Sequence, residues 1–113
     1  MADCLFCKII AGEIPSKKVY DDEYVYAFLD IDPQAPFHAV IVHKTHIASA
    51  AEIDSVNSIY VAKIFEAVAQ IAKQEKHEKV FRVVTNCGED GGQTVHHLHF
   101  HILGGKKLPV KLG

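Results

Sequence analysis

The stretch that most limits how this chain can fold is residues 91–105, Gly-Gly-Gln-Thr-Val-His-His-Leu-His-Phe-His-Ile-Leu-Gly-Gly. Alternate residues of a β-strand point to opposite faces, so a strand here puts His97, His99, His101 and Leu103 on one face and Leu98, Phe100 and Ile102 on the other. One face is then core and the other is free for chemistry. Imidazoles titrate near neutrality and repel at close range when charged, so such a row suits a ligand, a metal or a phosphate better than plain water. A solvated histidine-rich edge strand is the competing reading, and the glycine-rich turn that leads into the row weighs against it.

A chain of 113 residues can bury one core but not two, so a single domain over residues 1–113 is expected. With a formal charge of -2 and no basic stripe it lacks the footprint of a nucleic-acid backbone binder, whereas a small anion needs only a few donors. No apolar run approaches the roughly 20 residues that span a bilayer, and the N-terminus lacks the regions of a signal peptide. The expectation is a cytoplasmic protein with no membrane partner. Its three cysteines do not make a disulfide framework: Cys4 and Cys7 form a C-x-x-C pair, the spacing of a metal half-site or a redox dithiol, and Cys87 stands alone. A redox pair is the weaker reading, because no βαβ pattern of the thioredoxin kind surrounds it.

Along the chain, residues 4–11 suit a short helix with Leu5, Phe6, Ile9 and Ile10 near one face, ended by Gly12 and Pro15. Residues 18–20 and 24–29 read as antiparallel strands around the acidic turn Asp21-Asp22-Glu23, and Pro33 and Pro36 enforce a loop before a third strand at 38–43. Asp54 or Ser55 can cap a long helix, because Val56, Ile59, Tyr60, Ile64, Ala67, Val68 and Ile71 recur at helical spacing through about Lys76. A fourth strand spans 80–85, a glycine-rich loop follows, and the histidine strand is fifth. Turn-linked strands with one long helix crossing over give an α+β class.

The run from His97 to Leu103 resembles the signature of the histidine triad superfamily. Asp30-Ile31, Pro33-Gln34-Ala35-Pro36, His38, Gly91-Gly92-Gln93 and Gly104-Gly105 are similar to the Hint branch of histidine triad nucleotide-binding proteins. The likeness covers nearly the whole chain. It implies a five-stranded antiparallel sheet with one short and one long helix, sheets joined across a homodimer, and a purine nucleotide hydrolase or transferase. Substrates of that branch are nucleoside 5'-phosphoramidates and aminoacyl or lysyl adenylates.

Neutral imidazole attacks phosphorus well and leaves well, so a histidine can divide one substitution at phosphorus into two steps through a nucleotidyl-histidine. The middle histidine, His99, is the expected nucleophile, with its other ring nitrogen held protonated by an acceptor such as a main-chain carbonyl. His101 can donate to phosphate oxygens or to the departing amine, and His38 would orient His99 or relay that proton, an assignment the residues leave open. Gly91, Gly92, Gln93 and Thr94 can aim amide and side-chain donors at a phosphate. The resemblance implies further that Asp30 accepts from the ribose hydroxyls, that Asn86 bonds near the phosphate, and that Leu5, Phe6, Ile9, Phe28 and Ile31 wall the base. On the residues alone, those five are equally core, and Asp30 is equally a turn-capping aspartate.

In the zinc-bearing part of the superfamily, the residues that complete a site with Cys4 and Cys7 match His46 and His97, which implies a structural zinc that the reaction does not need. Departures from the pattern are His96 where an aromatic is common, Thr94 in place of serine, and a tail at Lys106 to Gly113 without the usual tryptophan. The competing functions are a nucleotide-binding module with vestigial activity and a dinucleoside polyphosphate hydrolase. A catalytic metal on His97, His99 and His101 is a further one, although alternate residues of one strand rarely supply three facial ligands.

Overall fold

A computed structural model describes residues 4–77 and 80–111. Five strands, β1 (Lys18–Asp21), β2 (Val25–Leu29), β3 (Phe37–His43), β4 (Phe81–Val84) and β5 (His99–Gly104), form one sheet in the order β1-β2-β3-β5-β4. Every neighbouring pair is antiparallel. The two helices are α1 (Leu5–Ile10) and α2 (Ser58–Gln74), with a single 3-10 turn at Ala50–Glu52. This is the α+β architecture expected, and no helix among the described residues is long and apolar enough to cross a membrane.

Local chemistry explains the element boundaries. Asp22 makes the β1–β2 turn, since its Oδ1 accepts from the Tyr24 amide at 2.7 Å and the Val25 amide at 2.8 Å. Cys4 caps α1, its Sγ accepting from the Cys7 amide at 3.3 Å. The long helix begins later than its apolar period suggests. The Asp54 carboxylate accepts from the Val56 and Asn57 amides and builds a turn of its own, so α2 starts at Ser58 and leaves Val56 86% exposed and Ile59 52% exposed. The inward stripe of α2 is Ile64, Ala67, Val68, Ile71 and Ala72.

The sheet has a core on each face. Val25, Ala27, Phe37, Ala39, Ile41, Phe100 and Ile102 pack under α2. Phe28, Val40 and Val42 pack under Phe6 and Ile9 of α1. Fully burying such side chains contributes roughly 1.5–3 kcal/mol each, and most of this accumulates under α2. The thinner α1 side leaves part of its face open, and there the pairings Val42↔His99, Val40↔His101 and His38↔Leu103 line up three histidines.

One strand boundary differs from expectation by more than a single residue. The ladder begins at His99, and residues 95–97 bend instead of continuing it. The Leu98 amide donates to the Ile47 carbonyl at 2.6 Å, and the His97 ring is drawn toward the N-terminal cysteines. His97 therefore leaves the row that His99, His101 and Leu103 keep. The last two residues of the tail, 112–113, lie outside the described residues.

Candidate active site

Main-chain groups fix which ring nitrogen carries each proton. His38 Nδ1 accepts from the Gln34 amide at 3.0 Å, so in the neutral ring the proton is on Nε2. That Nε2–H donates to His101 Nδ1 at 2.8 Å, which places the His101 proton on its own Nε2, free to donate outward. His99 Nδ1 lies 2.7 Å from the His97 carbonyl, which can only accept, so His99 keeps its lone pair on Nε2. A nitrogen with its lone pair unshared and a donor nitrogen thus lie on neighbouring rings with centroids 5.2 Å apart. Thr85 secures the same strand, its hydroxyl donating to the His99 carbonyl at 2.7 Å.

Burial pushes His99 below the ordinary histidine value, with the His97 carbonyl and Asp30 opposing it. Burial and the neighbouring His99 and His38 push His101 down to about 4, with Asp30 again opposing. Both shifts favour the neutral ring. Such rings titrate near 6.5 once unfolded, so between about 6.5 and 4 the unfolded chain binds more protons than the folded one. Stability is accordingly expected to be full above 6.5 and to fall as pH drops through that window. Thermal unfolding against pH checks this: His101→Gln should flatten part of the slope, and a melting temperature constant from 6.5 to 4 would contradict it.

Asp30 does two things. Its Oδ1 accepts from the Asp32 amide at 2.8 Å, capping the turn, while Oδ2 lies 3.4 Å from His38 Nε2 and 3.8 Å from His101 Nδ1. Next to it opens a cavity of about 650 Å³ whose lining includes Ile9, Ser16, Lys17, Phe28, Asp30 and Ile31. Of the expected base wall, Ile9, Phe28 and Ile31 are there, and Ile31 is an apolar side chain fully exposed at the rim. Phe6 stands behind that wall, with its ring edge-on to Phe28 at 5.6 Å and to His99 at 4.9 Å. Leu5 is 43% exposed and does not line the cavity.

The glycine-rich loop is arranged differently from the expected phosphate cradle. The Gly91, Gly92 and Gln93 amides donate to Gly88 and Glu89 carbonyls within the loop, so they are aimed inward. Gln93 is 5% exposed, and its side chain donates to the Ala48 carbonyl at 2.7 Å and the Val95 carbonyl at 3.0 Å while accepting from the Gly88 amide. It is a brace of the loop, not a free donor. The Thr94, Val95 and His96 amides have no acceptor among the described residues. Gly91 admits no side chain, since a Cβ would stand 2.2 Å from the Cys87 carbonyl oxygen. Gly92, at φ +90°, abuts the Asn86 side chain, which places Asn86 beside the loop.

On the other side of Phe6, the thiols of Cys4 and Cys7 meet His46 and His97. Cys4 Sγ lies 3.3 Å from His97 Nδ1, and Cys7 Sγ lies 3.4 Å from His46 Nδ1 and 3.5 Å from His97 Nδ1. Tetrahedral zinc with Zn–S about 2.3 Å and Zn–N about 2.0 Å has S···N edges of about 3.5 Å, so the four atoms fit a Cys2His2 site. The His97 Nε2–H donates to the His43 carbonyl at 3.0 Å, which turns Nδ1 and its lone pair toward the sulfurs. Burial, then the adjacent Cys4 thiol, pushes Cys7 up to about 11, so a metal bound there displaces a proton. Because His97 faces this cluster, it does not converge with His99 and His101 on a shared catalytic ion.

The His97 carbonyl is the main-chain acceptor expected for His99, whereas two contributors were not legible in the sequence, the Gln34 amide and the His43 carbonyl. Both are main-chain groups, which no side-chain pattern reports. His96, His77 and Cys87 take no part in either cluster.

Comparison with known proteins agrees with the fold. The HIT domain family matches residues 11–108. A HIT family hydrolase from Clostridium thermocellum superposes with a TM-score of 0.95 at 44% identity, covering 99% of this chain and 98% of the other. A histidine triad protein from Clostridium difficile also superposes at 0.95, with 49% identity over 99% and 98% of the two chains. A 14 kDa zinc-binding protein of Zea mays is 46% identical over 112 aligned positions, which cover 92% of this chain and 83% of that one.

Proposed function

The chain belongs to the HIT family, and from that premise we propose that it is a purine nucleoside phosphoramidase, cleaving the P–N bond of adenosine 5'-phosphoramidates through a nucleotidyl-histidine. The observation that carries this is the pair of fixed tautomers, a lone pair on His99 Nε2 beside a proton on His101 Nε2.

The nucleoside lies in the cavity beside Asp30, with its base between Ile9, Phe28 and Ile31 and its ribose hydroxyls donating to Asp30. The phosphate sits over His99 and His101, near Asn86, Gly92 and the Thr94 end of the loop. Its negative charge offsets the burial that keeps His101 neutral in the free protein, so the ring takes up a proton at Nδ1 on binding, and the His38 Nε2–H that had faced it turns to Asp30 Oδ2, 3.4 Å away. His99 Nε2 then attacks phosphorus, the P–N bond breaks, and the amine departs with the Nε2 proton of His101. The positive charge gained by the His99 ring is met at Nδ1–H by the His97 carbonyl. In the second step, water attacks phosphorus, its proton returns to His101, and His99 leaves as a neutral ring, so protons balance over the cycle. Zinc held by Cys4, Cys7, His46 and His97 would supply a structural crosslink between α1 and the start of β5.

Two copies joined edge to edge through β4 would extend the sheet. The exposed Val80, which leads into β4, and Phe65, whose ring is edge-on to Phe100 of the neighbouring β5, are 67% and 46% accessible and suit burial in such a homodimer. A panel of an adenosine 5'-phosphoramidate, its guanosine counterpart and diadenosine polyphosphates tests the assignment. The expected result is AMP and free amine at a kcat/KM at least tenfold above that for any polyphosphate. Faster polyphosphate cleavage would reassign the substrate class, and binding without turnover would leave a nucleotide-binding module.

A further inference from the structure

Asp30, which lines the nucleoside cavity, and the two imidazoles beside it have a second use. Asp30 Oδ2, His38 Nε2 and His101 Nδ1 form a triangle with sides of 2.8, 3.4 and 3.8 Å. The point equidistant from its corners is about 2.0 Å from each, the length of a zinc–nitrogen or zinc–oxygen bond. The three residues come from separate segments: Asp30 follows β2, His38 is in β3 and His101 is in β5. Two imidazoles with one carboxylate are donors for a divalent transition ion, and a poor set for magnesium or calcium, which take oxygen ligands.

We propose that Asp30, His38 and His101 form a second, reversible site for a divalent transition-metal ion, distinct from the cysteine cluster, and that an ion bound there shuts the nucleoside cavity. The ion takes the place of the hydrogen bond between His38 and His101. That bond lies along the N···N line with its proton on His38 Nε2, so both rings must turn toward Asp30, and the His38 proton must move to Nδ1 at the expense of the Gln34 amide bond, before the two nitrogens can share an ion. This cost, and the absence of thiolate, keeps the site weaker than the Cys2His2 cluster. Occupancy has a direct consequence, because the Asp30 oxygen not used in the turn is taken and the donor ring is pinned. Inhibition by micromolar transition metal should therefore be competitive with nucleotide. The binding site stands on its own geometry; only this consequence rests on the proposed function.

Titration of the full chain with Co2+ separates the two sites, since only ions on cysteine show thiolate-to-cobalt charge transfer. The expected result is two ions per chain. One has charge transfer and is unaffected by Asp30→Asn; a weaker one lacks charge transfer and loses at least about tenfold in affinity in that variant. His38→Gln should behave like Asp30→Asn, and the unchanged charge-transfer spectrum reports that each variant is folded. A stoichiometry of one, or a second ion indifferent to both variants, overturns the site. Saturating adenosine, which has no phosphate to chelate cobalt, should displace the second ion. If it does not while both variants still weaken that ion, the metal site stands and the nucleoside cavity over Asp30 is the reading that fails.

Discussion

His99→Ala is expected to lower phosphoramidate turnover by roughly 10⁴-fold or more while leaving nucleotide affinity within a few-fold of wild type. The expectation rests on position. The cavity proposed for the nucleoside is lined by Ile9, Phe28, Asp30 and Ile31 and not by His99, whereas among His38, His99 and His101 only His99 offers a lone pair held ready by a main-chain acceptor. His101→Ala should be milder for substrates whose leaving group needs no proton. Single-turnover rates and equilibrium titration with AMP read the two effects separately. If His99→Ala keeps turnover within tenfold of wild type, the nucleophile is another group.

The second large effect is expected from removing the metal. A helix of six residues has too few internal hydrogen bonds to persist by itself, so α1 depends on what fastens its ends. Cys4 and Cys7 begin it, and the histidines facing them lie 39 to 93 residues away along the chain. A zinc at that cluster therefore crosslinks α1 to the sheet, and stripping it should lower the melting temperature by roughly 10 °C or more. Because Phe6 and Ile9 ride on α1, nucleotide affinity should fall with it. Melting curves with and without a strong chelator, on wild type and on Cys4→Ser with Cys7→Ser, check this. The double variant should resemble the stripped protein and ignore the chelator. A melting temperature indifferent to chelation in the wild type would remove the structural metal from the account.

How far the sequence could be read depended on how local each determinant is. The alternation His99-Phe100-His101-Ile102-Leu103 is a strand signal that any antiparallel neighbour can satisfy, and it survives intact. His97 obeys the same alternation in sequence, but its ring is held by cysteines about 90 residues away, and no local pattern reports that pull. The late start of α2 has the same character: Val56 and Ile59 fit the helical period, yet the Asp54 carboxylate captures the amides that the first turn would have used. Gln93 shows the limit for polar residues. Its amide was equally able to reach a phosphate or to brace the loop, and only the nearness of Ala48 and Gly88 decides for bracing. Asp30 was open between a ribose acceptor and a turn cap, and its two oxygens allow both.

The claim at the centre is covalent: one histidine carries the nucleotide between two displacements. Intact-mass spectrometry after brief mixing with an adenosine 5'-phosphoramidate, quenched without acid to spare a P–N bond, tests it most directly. The expected result is a transient gain of one AMP per chain, mapped by peptide analysis to His99 and absent from His99→Ala. An adduct on another residue, or AMP release from His99→Ala at the wild-type rate, would contradict it.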